Sequence, residues 1–176
     1  KKVVNWWEKL GKPQYGDELV IRSTRNIVNF DPYNGAHLTQ IYAAWLERLF
    51  SEDWTVDPAS FEYKTMAPNH YLKGLLAESW EFTGDSTFVV HLRKGIHWQN
   101  IPPVNGREFT ADDVAFHYHR LLGLGSGFTK PAPYHATVAS FRELASVTAV
   151  DKYNVVFKWN NLNPAFIAET MITNHN

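Results

Sequence analysis

The chain has 176 residues, of which 44% are hydrophobic and 20% charged, an ordinary balance for one globular domain or slightly more. Its 17 basic and 18 acidic residues give a formal net charge of −1, so no basic excess indicates binding to nucleic acid or to an anionic membrane surface. Cysteine is absent, which excludes disulfides and thiolate metal sites. No run of about 18 apolar residues is present that could span a bilayer.

Aromatic residues are the unusual feature of the composition. The 7 Trp, 8 Tyr and 11 Phe residues make up 15% of the chain. Such an excess occurs where proteins stack on sugars, peptides or partner surfaces, and it also occurs in the core beneath a wide sheet. We favour the core interpretation, and stacking on a ligand stays open as the alternative.

The first part of the chain predicts an arm, a strand, a turn and a helix. Residues 1–16 have little periodicity and several breakers, so we interpret them as an arm or a weak helix. Residues 18–22 (ELVIR) predict a buried strand, and residues 29–35 (NFDPYNG) are rich in turn formers. Residues 38–49 predict an amphipathic helix, because apolar side chains fall at helical spacing at Ile41, Tyr42, Trp45, Leu46 and Leu49.

A β-hairpin is predicted near the middle of the chain, after a long connection. Residues 51–69 are polar and irregular, with one short strand conceivable at 61–63, and we interpret them as an elaborated loop. Apolar and polar residues then alternate on both sides of the turn formers at 84–86. We expect the hairpin and the helix that follows to supply core residues, namely Trp80, Phe82, Phe88, Val90, Leu92, Val114 and Phe116.

A capped helix is predicted over residues 111–122. Thr110 stands three residues before Asp113 and ahead of an apolar run, the spacing of a capping box. A carboxylate at this position also interacts favourably with the positive end of the helix. We therefore interpret Asp112 and Asp113 as helix-start residues and not as a general acid–base pair, which would need an enclosed partner.

The last part of the chain predicts a loop, two helices and a second hairpin. Residues 123–133 carry three glycines and two prolines, which indicates a flexible or closely packed loop. Residues 136–144 predict a short helix, and the alternation between residues 147 and 159 predicts the hairpin. Asn163 is the expected cap of a further helix over residues 164–172, which begins with proline.

The histidines raise the question of a metal site, which their spacing does not favour. His117 and His119 are two residues apart on the predicted helix, so their side chains point about 200° apart and cannot share one ion without a distant third group. His91 and His97 have no carboxylate at a recognised ligand spacing. We predict no metal and no cofactor, and a metal-assisted hydrolase using His91, His97 or His117 is the enzyme-class alternative.

Other catalytic motifs are equally weak. Gly123, Gly125 and Gly127 alternate like part of a phosphate-binding loop, but they follow a helix and lack the lysine and hydroxyl residue of that motif. Ser86 falls in a predicted hairpin turn and lacks the second glycine of a nucleophile elbow. We therefore predict no catalytic residue and a protein that is not an enzyme.

Several blocks of the chain resemble one family of binding proteins. Four of them are similar in order and spacing to the signature of the extracellular solute-binding proteins of family 5, namely LAESWE (76–81), FVVHLRKG (88–95), IHW (96–98) and FTADDVAF (109–116). These proteins are the oligopeptide, dipeptide and nickel-type receptors of bacterial ABC importers. Asp31 and Pro32, after the first predicted strand, and the hairpin at 147–159 fit the same pattern, so the resemblance covers residues 15–171.

The chain departs from the family pattern at three places. Gly16 and Asp17 stand where the family often has two glycines, and residues 99–107 (QNIPPVNGR) replace a short Asp-Gly turn. Residues 53–71 look inserted. These departures leave the expected fold unchanged and bear on the kind of ligand.

The resemblance implies an α+β fold, the N-terminal part of a periplasmic-binding-protein-like fold (type II, cluster C) with a mixed or antiparallel sheet and packed helices. Residues 1–40 would form an N-terminal arm and the start of lobe I, residues 41–160 an extra subdomain of lobe I, and residues 161–176 the start of the return into lobe I. Family members are much longer and have two lobes. We therefore expect the chain to be an N-terminal fragment with the second lobe absent.

The resemblance also implies a function and a site. The protein would capture a solute, preferably a peptide, between two lobes and deliver it as a monomer to an ABC permease, on the periplasmic or extracellular face of the cytoplasmic membrane, with lipid anchoring left open. In the family the turn after the first strand faces the cleft, and the matching positions here are Asn34, Gly35, Ala36 and His37. Their backbone groups can pair with an extended peptide, although a turn that only leads into a helix cap is the simpler alternative. A carbohydrate-binding receptor of the same architecture is the main rival, and nickel or heme also stays open as the ligand.

Overall fold

The computed structural model of this chain describes residues 5–12, 15–16, 18, 20, 31, 33, 46–53, 55–57, 59, 71–133 and 143–161. In chain order the elements of these ranges are a 3₁₀ helix (Trp6–Leu10), β1 (Phe50–Glu52), β2 (Leu72–Gly74), β3 (Ala77–Phe82), β4 (Thr87–Leu92), helix α1 (Ala111–Leu122), β5 (Leu144–Ala149) and β6 (Asn154–Trp159). Strands β3, β4, β6 and β5, in that order, form a four-stranded antiparallel sheet, and β1 and β2 pair separately.

Both predicted hairpins are confirmed. In the first, Phe82 pairs with Phe88, and the Thr83 N–H donates to the Thr87 carbonyl at 3.1 Å to close the turn at 84–86. In the second, the carboxylate of Asp151 accepts from the backbone N–H of Tyr153 at 2.8 Å, which fixes the turn between β5 and β6. Local turn chemistry and alternating side chains therefore determine both units.

Helix α1 begins and ends as predicted. Asp113 accepts from the backbone N–H of Thr110 at 3.0 Å, which completes the capping box. Arg107 pairs with the same carboxylate, and Trp98 Nε1 donates to it at 3.2 Å. Burial alone would raise the pKa of Asp113, but these hydrogen bonds outweigh burial and lower it. Gly123 ends the helix in the left-handed conformation, with φ of 69°.

The core lies between the four-stranded sheet and α1, which packs on β5 and β6. The predicted core residues Phe88, Val90, Leu92 and Val114 are buried. They join a cluster that also contains Leu49, Phe50, Ala77, Phe109, Ala111, Tyr118, Leu121, Leu122, Leu144, Val147, Val155, Phe157 and Trp159.

Two predicted core residues are wrong, and a third is only partly buried. Phe82 is 48% exposed because it ends the edge strand β3, and Phe116 is 50% exposed because it lies two residues from Val114 and therefore on another face of α1. Trp80 is partly buried, with its ring edge-on to Phe50 at 4.9 Å between centroids. Alternation in a strand and helical periodicity show which face of an element is apolar. They do not show how far the neighbouring elements cover that face.

Three predicted boundaries also need correction. Residues 46–49 are not the last turn of a helix, because the Leu49 carbonyl accepts from the N–H groups of Leu75 and Ala77 at 2.9 and 3.2 Å. The segment after Leu49 begins with strand β1 and not with a loop. β1 pairs with β2 in a short two-stranded ribbon, which the sequence pattern did not predict. Leu144 begins β5 opposite Trp159 and does not end a helix.

A single exposed residue contradicts the predicted first strand. Val20, expected within the buried strand at 18–22, is 80% exposed and belongs to no strand. A short apolar run does not by itself fix a strand, because its backbone groups also need hydrogen-bond partners. Residues 19, 21 and 22 lie outside the described residues. The helix over 38–45, the strand at 61–63 and the helices over 136–142 and 164–172 lie outside the described residues. The division of the chain at residues 40 and 160 stays a prediction.

Candidate functional site

Two described residues come just before the predicted ligand-binding turn in the chain. Asn34, Gly35, Ala36 and His37 lie outside the described residues, whereas Asp31 and Tyr33 come immediately before them in the chain. Both described residues contact helix α1.

Asp31 links the turn to α1 through an ion pair. One carboxylate oxygen, Oδ1, accepts from the backbone N–H of Tyr33 at 3.1 Å, and the other, Oδ2, accepts from Arg120 Nη2 at 2.8 Å. The two charged side chains are 39% and 37% exposed. The pair is thus partly shielded from solvent, and one carboxylate contacts both the Tyr33 backbone and Arg120.

Tyr33 makes a second attachment to the same helix. Its Oη and His117 Nδ1 share a hydrogen bond at 2.5 Å, and the Arg120 guanidinium lies 4.1 Å from the centre of its ring. Burial raises the pKa of Tyr33 to about 12, although Arg120 opposes the shift. Burial, followed by the positive charge of Arg120, lowers the pKa of His117 to about 4. Both groups are therefore neutral at pH 7.

Helix α1 brings His117 and Arg120 together because residues three apart are neighbours on a helix surface. The adjoining face of α1 is anchored in the core by Val114, Tyr118 and Leu121. Asp31 and Tyr33 therefore contact a helix whose adjoining face is buried in the core. No sequence motif marks this pair, and the local signal is limited to two polar residues three apart within a largely apolar helix.

An open cleft of about 210 Å³ lies beside these contacts. Liquid water occupies about 30 Å³ per molecule, and drug-sized ligands fill sites of about 300–1,000 Å³, so the cleft suits one small chemical group and not a whole ligand. The cleft is lined by one carboxylate, two cationic side chains, two aromatic rings, an alanine and a proline, namely Asp31, Arg120, Lys130, Tyr33, Phe128, Ala132 and Pro133.

The glycine-rich loop forms one wall of this cleft, and it is closely packed. A Cβ atom on Gly123 would lie 2.3 Å from the carbonyl carbon of Lys130, so only glycine fits there. His119 Nε2–H donates to the Val147 carbonyl at 2.8 Å, which leaves Nδ1 of the neutral ring to accept from the Ser126 hydroxyl at 2.9 Å. Gly123 thus serves backbone packing, as the closely packed alternative for this loop predicts, whereas a Cβ atom on Gly127 would meet no atom within 4 Å.

Two further described histidines, His91 and His97, also have hydrogen-bond partners. His91 contacts Asn154 and lies 3.7 Å from Glu81, and His97 Nδ1–H donates to the Gly106 carbonyl at 2.8 Å. His117 and His119 point to different partners, as their spacing predicts. Over the described ranges no three His, Cys, Asp or Glu side chains converge on one point. None of the helices in these ranges has the length and apolar character that crossing a bilayer requires.

The same arrangement of strands and helices occurs in a known class of proteins. The structure of a dipeptide-binding protein from Pseudoalteromonas sp. SM9913 in complex with Met-Leu matches 84% of this chain with a TM-score of 0.63 and 26% identity. That match takes in 28% of the other chain. The fold is therefore, over this part, of the periplasmic-binding-protein type, as predicted.

The sequence assigns the family within this class. Residues 72–175 match the bacterial extracellular solute-binding proteins, family 5 (middle part). The chain belongs to this family, which confirms the resemblance carried by the four blocks. The family is one of solute-binding proteins and not of enzymes, as the sequence predicted.

Two curated relatives are named after different ligands. Di/tripeptide-binding protein 3 of Pseudomonas aeruginosa is 36% identical over 98 residues, a match that covers 52% of this chain and 18% of that protein. Heme-binding protein A of Haemophilus influenzae is 31% identical over 99 residues, which are 53% of this chain and 18% of that protein. The match spans less than a fifth of either relative, so family membership does not by itself identify the solute.

Proposed function

We propose that the complete protein is the solute-binding component of a bacterial ABC importer and that its solute is a short peptide. The observation that carries the proposal is the 36% identity to a di/tripeptide-binding protein over 98 residues. The match to a dipeptide-bound structure, at 26% identity, supports the same ligand class. The protein would work outside the cytoplasmic membrane, where the family is described.

The sequence similarity favours a peptide over a neutral sugar. The charges of Asp31 and Arg120 do not add to this, because the two side chains are paired with each other. Backbone groups of residues 34–37 would pair with the peptide backbone, as in strand addition. Side-chain pockets would then be free to accept different residues.

The tryptophans give little support to the sugar-binding rival. Stacking on a sugar needs exposed rings, but Trp159 is buried, and Trp80 and Trp98 are partly buried in packing against the core. Trp7 is 36% exposed, and it lies in the N-terminal 3₁₀ helix. Among the described residues the aromatic excess is therefore largely accounted for by packing.

The mechanism would be capture by closure. The peptide would bind between lobe I, to which this chain contributes, and a second lobe, and the closed form would be the one that the permease accepts. Ligand binding can shift the open–closed equilibrium only by its differential affinity for the two forms. Contacts from both lobes are what supply that difference.

The test is native mass spectrometry of the complete protein, purified without refolding. Heterogeneous additional masses that sequence as di- or tripeptides would support the proposal. Calorimetric titrations of the ligand-free protein with a dipeptide, a disaccharide, heme and a nickel–histidine complex would follow. Binding of any of the last three, with no response to peptides, would refute peptide as the solute.

A further inference from the structure

We propose that the cleft beside the end of helix α1 is a binding site for a small organic anion, namely a carboxylate with a short apolar portion. The lining residues that carry the proposal are Arg120, Phe128 and Lys130. The inference goes beyond the proposed function, because it does not depend on a peptide being the solute. It uses contacts and charges of described residues only.

The cleft contains one positive charge that no carboxylate compensates. Asp31 and Arg120 pair with each other at 2.8 Å, so their charges largely cancel. Lys130 is exposed, and its ammonium group forms neither a hydrogen bond nor an ion pair with any described residue. Within a concave surface the low-dielectric walls focus the field of such a charge, which raises the local concentration of counter-ions. The cleft therefore favours a negatively charged group.

Arg120 offers further hydrogen-bond donors at the same place. Its Nη2 is bonded to Asp31, whereas its Nε–H and Nη1 groups have no partner among the described residues. Both oxygens of Asp31 are occupied, Oδ1 by the backbone N–H of Tyr33 and Oδ2 by Arg120. Guanidinium and ammonium groups are the donors that bind carboxylates most strongly. Arg120 and Lys130 can therefore bind the two oxygens of one carboxylate.

The end of helix α1 repels an anion less than a free helix end would. The last turn of a helix normally presents unpaired carbonyl groups that carry partial negative charge. Here the His119 carbonyl accepts from the N–H groups of Gly123 and Leu124 at 2.8 and 3.2 Å, and the Leu121 carbonyl accepts from Ala132 at 3.0 Å. The glycine-rich loop thus satisfies part of the negative end of α1 beside the cleft.

The same loop holds the wall that carries Lys130 and Phe128. The backbone of Lys130 packs against Gly123 so closely that a Cβ atom on the glycine would lie 2.3 Å from the Lys130 carbonyl carbon. The Phe128 N–H donates to the Gly125 carbonyl at 2.8 Å, and its ring lies edge-on to Phe116 at 5.4 Å between centroids. Both lining side chains therefore extend from a fixed backbone, which lowers the entropy lost on binding.

Volume and lining define the class of ligand. The volume of about 210 Å³ corresponds to about seven water molecules, which is room for a carboxylate and a short alkyl chain. Phe128, Ala132 and Pro133 supply the apolar part of the lining. Butyrate has both chemical features. A carboxylate of this kind occurs in a free acid and also in an acidic residue or C-terminus of a transported peptide, so the experiment has to separate these sources.

The experiment is a titration of the complete protein with butyrate, followed through the NMR shifts of the backbone amides of residues 123–132. Butyramide is the matched control ligand, because it has nearly the same shape without the charge, and acetate reports on the carboxylate alone. The variants are Lys130→Gln and Phe128→Ala. Lys158→Gln is the control variant, because Lys158 is an exposed lysine of β6 outside the lining of the cleft.

We expect butyrate to bind saturably and butyramide not to bind at the same concentrations. Lys130→Gln should raise the Kd for butyrate about fivefold, whereas Lys158→Gln should leave it unchanged. Phe128→Ala should raise the Kd for butyrate about threefold and leave that for acetate unchanged. Equal shifts with butyrate and butyramide, or an unchanged Kd in Lys130→Gln, would overturn the site. Equal weakening of both acids by Phe128→Ala would overturn the apolar portion of the assignment.

The two sources of the carboxylate are separated by repeating the titration with the protein saturated with a tripeptide. Loss of butyrate binding would assign the site to a carboxylate of the peptide, and unchanged binding would assign it to a free acid. Either result supports the anion site. If the protein binds no peptide, the proposed function fails, and the butyrate titration still decides this inference.

Discussion

Phe88 shows how single residues build the described core. Its side chain has no exposed surface, and its ring lies 5.1 Å from that of Phe82, 6.1 Å from Phe50 and 6.2 Å from Phe157. These neighbours come from β3, β1 and β6, so one ring on β4 joins three other strands. Tilted ring pairs at such distances contribute beyond the area that they bury.

Phe88→Ala should lower the free energy of unfolding by about 3–5 kcal/mol, because it removes a large ring and leaves a cavity. Phe82→Ala is the matched control: the ring is the same, but it is 48% exposed, and its removal should cost about 1 kcal/mol. Urea denaturation followed by circular dichroism measures both values. Equal losses for the two variants would contradict this description of the core.

Among the elements, three loops at one end of the sheet converge on Glu108. Its carboxylate accepts from the Gly95 backbone N–H at 3.0 Å, from Lys152 Nζ at 2.6 Å and from Tyr153 Oη at 2.9 Å. The hydrogen bond from Lys152, followed by those from Gly95 and Tyr153, lowers the pKa of Glu108 from 4.5 to about 2. One carboxylate thus connects the turn after β4 with the turn between β5 and β6.

This arrangement predicts a pH dependence of stability. A carboxyl group whose folded-state pKa is lowered stabilises the fold fully above its unfolded-state pKa, and that contribution disappears as the pH falls through the folded-state value. For Glu108 the window runs from about 4.5 down to about 2. Glu108→Gln should therefore reduce the fall in melting temperature as the pH is lowered from about 4.5 to about 2, measured by differential scanning fluorimetry. Glu78→Gln, at an exposed position of β3, is the control and should leave the profile unchanged.

At the scale of the whole molecule, the chain spans only part of the length of the proteins that it resembles. The dipeptide-binding structure that it resembles is matched over 28% of its length. Under the proposed function, the ligand would contact two lobes, and this chain would supply only part of those contacts. The remaining contacts would come from the rest of the protein.

The 176-residue chain alone should therefore bind a peptide at least about 100-fold more weakly than the complete protein, a loss of about 2.7 kcal/mol. Calorimetry with one and the same peptide measures both affinities. A cooperative thermal transition of the shorter chain would first establish that it is folded. Equal affinity of the two proteins would contradict capture between lobes.

The sequence by itself determined the features that depend on neighbouring residues. The turn at 84–86, the capping box at Thr110 and Asp113 and the alternation in β4 and β6 are local, and each was predicted correctly. The same blocks also identified the family, because their order and spacing are properties of the chain alone. The divergence of His117 and His119 follows from helix geometry in the same way.

The tertiary structure decided which faces are covered and which distant residues meet. Phe82 and Phe116 carry the right pattern for burial, yet one lies at a sheet edge and the other on an uncovered helix face. The contacts of Asp31 and Tyr33 with α1 join residues 89 and 84 positions apart, a pairing that no local pattern encodes. Periodicity indicates which way a side chain points, whereas the partner of that side chain depends on how the elements pack. Neighbouring residues therefore predicted the hairpins and the helix, but they could not predict the contacts of Asp31 and Tyr33 with α1.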